Sequence, residues 1–178
     1  MALQQHDPFS RPVAGTRGCP TPSPAHMRGL APVSGLPGNT QVLTRRGFCR
    51  ADEIEVGQAL VTREQGLQAV VEIERVTVRS RMVRFSREVL SDPGVYEALR
   101  LPTHQLVNLR DWRAIVLQGK AEAQAAAASL IDDAYITDDG IEELQLTQLI
   151  FATATTLYVG GMEVLSAHGF DDQLRPVF

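Results

Sequence analysis

Residues 67–85, LQAVVEIERVTVRSRMVRF, decide the fold class. The stretch is rich in β-branched residues with charges set between them, the composition of a strand. Its apolar phase slips twice. Val71 and Ile73 share one parity, Val76 and Val78 the other, and Val83 and Phe85 return to the first. Side chains of a strand alternate between faces, so each slip requires a bulge, a bend or a passage to another sheet. Long bent strands of this kind belong to a compact all-β protein.

The neighbouring segments agree. Residues 40–44 (TQVLT) and 58–62 (QALVT) are strand-like, and the turns Arg45-Arg46-Gly47 and REQG at 63–66 follow them. Asp139-Gly140 separates residues 135–137 from an apolar alternation at Leu144 and Leu146, then Leu149 and Phe151. Gly160-Gly161 separates Leu157-Tyr158-Val159 from residues 162–165. Both dipeptides predict two-residue hairpin turns, because such turns require positive φ. One stretch departs from the pattern. Residues 119–130 (GKAEAQAAAASL) are alanine-rich and read as one short helix.

The chain has 178 residues, 44% of them hydrophobic, enough for one domain with a tail. Six of its ten prolines fall within residues 1–34: Pro8, Pro12, Pro20, Pro22, Pro24 and Pro32. Proline removes a backbone donor, and few large apolar side chains are present there to offset the entropy of ordering. The reading is a disordered leader over 1–34, a domain over 35–170 and a tail over 171–178; an arm lying on the domain surface is the alternative for the leader. A net charge of −4 argues against nucleic acid as a partner. No apolar run approaches a membrane span, and the start MALQQHDPF lacks the regions of a signal peptide, so a cytoplasmic location is expected.

Direct searches for chemistry return little. There is no glycine-rich phosphate loop, no HExxH and no CxxC. The four histidines and two cysteines lack metal-ligand spacing, so neither metal nor cofactor is expected. The pairs Asp132-Asp133, Asp138-Asp139 and Asp171-Asp172 read as solvated turn carboxylates. Cys49 reads as a buried structural thiol and Cys19 lies in the leader. In the RDWR run, Trp112 is expected to anchor the core while Asp111 pairs a nearby arginine.

Three segments taken in order carry a resemblance. They are GLPGNTQVLT at 35–44 with the following RRGFCRADEIEVGQALVT, LPTHQLVNLRDWRA at 101–114, and TLYVGGMEVLSAHGF at 156–170. Together they resemble the Hint (Hedgehog/intein) domain, and within it the bacterial Hint branch. The first is similar to that family's opening strand and strand pair, the second to its histidine block, the third to its closing hairpin. The resemblance implies a horseshoe-shaped β disk with long bent strands.

It also implies self-processing. In such domains the first residue's thiol or hydroxyl attacks the preceding carbonyl, a histidine serves as acid or base, and backbone donors stabilise the oxyanion. Here the match puts Gly35 where that nucleophile belongs. The candidate residues are therefore Ser34, one position upstream, His104 as acid/base with Thr103 beside it, and His168 in the closing segment. Leu101 stands where the family's Thr-x-x-His begins, Gln58 replaces an aspartate, and Ala167-His168-Gly169 lacks the terminal asparagine. The expectation is an autoprocessing domain with degenerate chemistry, whose own leader would be the substrate if it were active. A non-catalytic protein-binding or structural module on the same fold is the rival, and an unrelated small-ligand β-barrel the third reading.

Overall fold

The computed structural model describes residues 34–90, 97–110 and 112–168. The expected leader, Cys19, Asp111 and the tail from 169 lie outside the described residues, apart from Ser34 at the leader's end.

The chain opens with a two-residue strand β1 (Leu36–Pro37), then the hairpin of β2 (Gln41–Thr44) and β3 (Gly47–Arg50). A second hairpin joins β4 (Ala59–Thr62) to β5 (Gly66–Ala69). The long strand β6 (Glu72–Phe85) follows, then β7 (Leu99–Pro102), β8 (Leu106–Leu109), helix α1 (Trp112–Gln118) and β9 (Ala123–Ala126). A second long strand, β10 (Ile136–Phe151), precedes the hairpin of β11 (Thr156–Val159) and β12 (Met162–Leu165); β13 (Ala167–His168) comes last. Among the described residues these form two sheets. One runs β1-β10-β6-β7, with β13 also on β10, and the other runs β3-β2-β4-β11-β12-β8-β9, with β5 on β4. The strands do not close into a barrel.

The two long strands are antiparallel partners from Ile136↔Phe85 to Ile150↔Glu72. Both phase slips have a structural cause here. The upper one, between Met82 and Val83, lies opposite a register shift in β10 between Asp138 and Ile141, where β10 carries one more residue than β6. The lower one passes through an unbroken register. Val76 faces Leu146 and Ile73 faces Leu149, so both strands exchange their inward face over the same rungs. A twisted ribbon that packs first one side and then the other against the core produces this change. Phe85, Met82, Leu101, Leu146 and Leu157 are fully buried around it.

Several sequence readings are corrected. Asp139-Gly140 does not reverse the chain; it forms the bulge inside β10. Gly140 has φ 79°, and its N–H donates to Asp138 Oδ1 at 3.0 Å. A bulge and a hairpin turn both need positive φ, so the dipeptide signals the conformation without its consequence. Asp138 and Asp139 are also not merely solvated, since they pair with Arg81 and Arg100 across the ribbon. Gly160-Gly161, by contrast, is a true two-residue turn, with φ 53° and 81° and Val159 opposite Met162.

The alanine-rich stretch is not the helix. Ala123–Ala126 pairs with β8 and buries alternate residues Ala123 and Ala125; Ala127–Leu130 then makes a 3-10 turn. Small side chains let this segment lie close to the core, and partners on β8 satisfy its backbone, which outweighs helix propensity. The helix lies just before it and stops at Gly119 (φ 66°), whose N–H bonds the Ile115 carbonyl at 2.8 Å. The glycine read as a start is a C-terminal cap.

Trp112 is corrected as well: it is 65% exposed rather than anchored in the core. Two residues along a helix is about 200° of rotation, so burying Ala114 turns Trp112 outward. Cys49 is half-buried at the core's margin.

Replacing Gly140 by alanine forces a side chain into positive φ at the bulge. We expect a loss of about 1–3 kcal/mol in urea unfolding. A Gly47→Ala exchange at the β2–β3 turn (φ 109°) serves as the control: it carries similar local strain but leaves the amide shifts of Arg81 and Val83 unmoved.

Candidate functional site

Strand β10 is bonded to β6 along one edge, and its other edge receives both β1 and β13. The antiparallel β1 pairs Leu36 with Thr147 and Pro37 with Leu146. The parallel β13 pairs Ala167 with Ile150 and His168 with Phe151. Continuing each register brings Ser34 and Ser166 to the same rung, Leu149. The incoming and outgoing segments therefore converge on one point of one strand.

Two glutamines meet there. Gln105, only 2% exposed, accepts the Gly35 N–H on Oε1 at 2.9 Å. Its Nε2 donates to the carbonyls of Leu165 at 2.8 Å and Leu106 at 3.2 Å. Gln148 Nε2 donates to the Ser34 carbonyl at 2.7 Å. The partners fix both amide orientations, because a backbone N–H can only donate and a carbonyl can only accept. Both polar atoms of the Ser34–Gly35 peptide group are thus held by side chains. The surrounding wall is Leu36, Thr147, Leu149, Leu157, Val164 and Ser166, enclosing a gap of about 10 Å³. That is room for one water at most.

Gly35 is suited to its place by more than a missing side chain. Its φ is +149°, and a Cβ would stand 3.1 Å from Leu146 Cβ and 3.3 Å from Gln148 Cγ. A residue with a side chain is strained there in backbone conformation and in contact distance.

The other expected residues fall around this point. Thr103 and His104 form the turn between β7 and β8, with Thr103 buried and His104 half-buried. Thr103 N–H donates to the Arg81 carbonyl at 3.0 Å, and its own carbonyl accepts from Ala128 N–H at 3.0 Å. This turn reaches Gly35 through Gln105, the next residue. His168 stands farther along β10, with its backbone opposite Phe151. The structure therefore joins Ser34, Gly35 and the Thr103-His104 turn at one place, with the closing hairpin's Leu165 and Ser166 beside them. Leu101, at the position where the family motif begins with threonine, is fully buried in β7 opposite Val83.

Sequence reading missed Gln105 and Gln148. A signal existed: Gln105 has the parity of Val107 and Leu109, which face the core. A polar residue at a core phase must find an internal partner. Gln148 carried no such signal, since by Leu149 and Phe151 the inward face of β10 has passed to the other parity.

The closing hairpin is anchored by a carboxylate. Glu64, in the β4–β5 turn, accepts from Thr156 N–H at 2.9 Å, from Thr156 Oγ1 at 2.6 Å and from Thr155 Oγ1 at 3.0 Å. Burial works against its charge, but the Thr156 and Thr155 hydrogen bonds outweigh it and hold its pKa below the usual glutamate value. Thr155 and Ser166 then close the hairpin's open end, with Ser166 N–H donating to the Thr155 carbonyl at 2.8 Å and Thr155 N–H to Ser166 Oγ at 3.3 Å. No cluster of three His, Cys, Asp or Glu side chains suited to a metal occurs among the described residues, and no helix there is long and apolar enough to cross a membrane.

Comparison with known proteins gives a consistent picture. A family model described as the Hint domain matches residues 35–170. The solution structure of a bacterial intein-like domain from Clostridium thermocellum shares the fold at 13% identity, with a TM-score of 0.51 over 75% of this chain and 98% of that one. The crystal structure of the gp41-1 intein matches at 14% identity, TM-score 0.47, over 77% of this chain and 99% of that one. No match was found among curated proteins.

Because the folded pKa of Glu64 is lowered, its contribution is present above the ordinary glutamate pKa and fades as pH falls through the lower folded value. Glu64→Gln should therefore flatten the acid side of the stability curve, measured as the urea midpoint between about pH 3 and pH 6. An unchanged pH slope would refute this anchoring.

Proposed function

This chain belongs to the Hint-domain family, an autoprocessing-type class, and from that premise we propose that it keeps the family's hold on its own N-terminal junction but has lost the means to cut it. The observation that carries this reading is Gly35, at φ +149° with β10 packed where a side chain would go. An acyl shift needs a thiol or hydroxyl on the residue that follows the attacked carbonyl. Glycine has neither, and the backbone disfavours its replacement.

Ser34 is a poor substitute. Its hydroxyl would have to attack the Val33 carbonyl, one peptide upstream of the group that Gln105 and Gln148 hold. One residue of strand is about 3.3 Å. A misplacement of about 1 Å can already lower a rate about 100-fold. His104, the acid/base candidate, lies in the turn next to Gln105, the residue that holds the Gly35 N–H. At the other end, Ala167-His168 supplies no asparagine to cyclise. The leader is then a segment that stays attached. The rival role, a non-catalytic module that binds protein partners, shares this lack of chemistry and differs in having a partner other than the leader.

A folded reporter fused before Met1 tests the reading by intact mass, with and without thiol or hydroxylamine. We expect one uncut species in all conditions. Release at 33/34 that is abolished by Ser34→Ala and weakened by His104→Ala would overturn the proposal. Gly35→Ser should lower stability by about 1–3 kcal/mol through the strained φ without restoring cleavage.

A further inference from the structure

Resting on that reading of the junction, we propose that Gln105 and Gln148 are the positioning residues for the Ser34–Gly35 peptide bond, and that they hold it in its planar ground state. The two bonds differ in what they favour. Gln148 presents an N–H at 2.7 Å to the Ser34 carbonyl oxygen, the sign of partner that developing negative charge requires. Gln105 presents a carbonyl oxygen at 2.9 Å to the Gly35 nitrogen. Breaking the C–N bond leaves the electron pair on that nitrogen, which must then gain a proton. An acceptor supplies none, and it rewards the N–H of the intact amide. One half of the grip suits cleavage and the other half supplies no proton for it.

Gln105 also links two parts of the site. Its Nε2 is committed to the Leu165 carbonyl in the closing hairpin while Oε1 holds Gly35, so a single buried side chain ties the junction to β12. The gap beside the bond is only about 10 Å³, so the junction is closely packed.

Amide exchange and carbon shifts of the full labelled chain test the grip. In Gln105→Ala the Gly35 N–H should exchange about tenfold faster, the loss of one hydrogen bond of about 1.4 kcal/mol. Gln105→Glu keeps an acceptor at Gly35 and removes the donor to Leu165, so Gly35 protection should persist while the Leu165 carbonyl resonance moves. Gln148→Ala should shift the Ser34 carbonyl carbon upfield and leave the Gly160-Gly161 turn resonances in place. Should Gln105→Ala fail to fold, the other two variants decide the matter. Unmoved Gly35 exchange in folded Gln105→Ala, or an unmoved Ser34 carbon in Gln148→Ala, overturns the grip, even if the reporter fusion stays whole. A released reporter alongside the expected shifts overturns the loss of cutting and leaves the grip standing.

Discussion

The ladder between β6 and β10 is the constraint on which the rest of the molecule depends. Its rungs run from Ile136↔Phe85 to Ile150↔Glu72, and at the far end Arg81 and Arg100 pair with the carboxylates of the β10 bulge. Because β6 occupies one edge of β10, only the other edge is left for β1 and β13. The two ends of the domain must therefore meet on that edge. The ribbon's exchange of inward face occurs over the same rungs, between Val76–Leu146 and Ile73–Leu149. Fold and site share one cause: where the ribbon turns over, the ends of the domain come together.

At that meeting point backbone geometry and chemistry make opposite demands. Close approach of Gly35 to Leu146 and Gln148 gives a tightly filled junction. The same closeness disfavours a side chain at that position. The polar atoms of the junction are satisfied within the protein, by Gln105 and Gln148, and satisfied polar groups in a tight site stabilise the resting bond. Glu64 performs the same service for the base of the β11–β12 hairpin, where Thr155 and Thr156 begin the segment that returns to the junction.

Much of this was legible in the residues. The phase slips of 67–85 identified a bent strand, and Gly160-Gly161 identified its hairpin, because both rest on period and local φ alone. Asp139-Gly140 misled for an instructive reason: positive φ does not say whether the chain turns back or bulges, and the partner strand decides. The alanine run misled because helix propensity takes no account of a neighbouring strand that can satisfy its backbone. Trp112 misled because helix phase placed Ala114 inward. At the site, the three segments and Gly35 were singled out by their resemblance to the Hint family. Gln105 and Gln148 were not: a polar residue at a core phase, as Gln105 is, announces a buried partner without naming it, and Gln148 lies on the parity that the ribbon has turned away from the core.

The joint on β10 has a consequence for association between molecules. An open strand edge invites pairing with another chain. Here the C-terminal part of that edge, at residues 146–147 and 150–151, is covered by two segments of two residues each, Leu36–Pro37 and Ala167–His168. Each is too short to offer a long template, and Pro37 lacks the N–H that a ladder would use. The closure that brings the domain's ends together thus also blunts this part of the β10 edge against edge-to-edge polymerisation. β1 begins at Leu36, so this cover is supplied by residues of the domain itself.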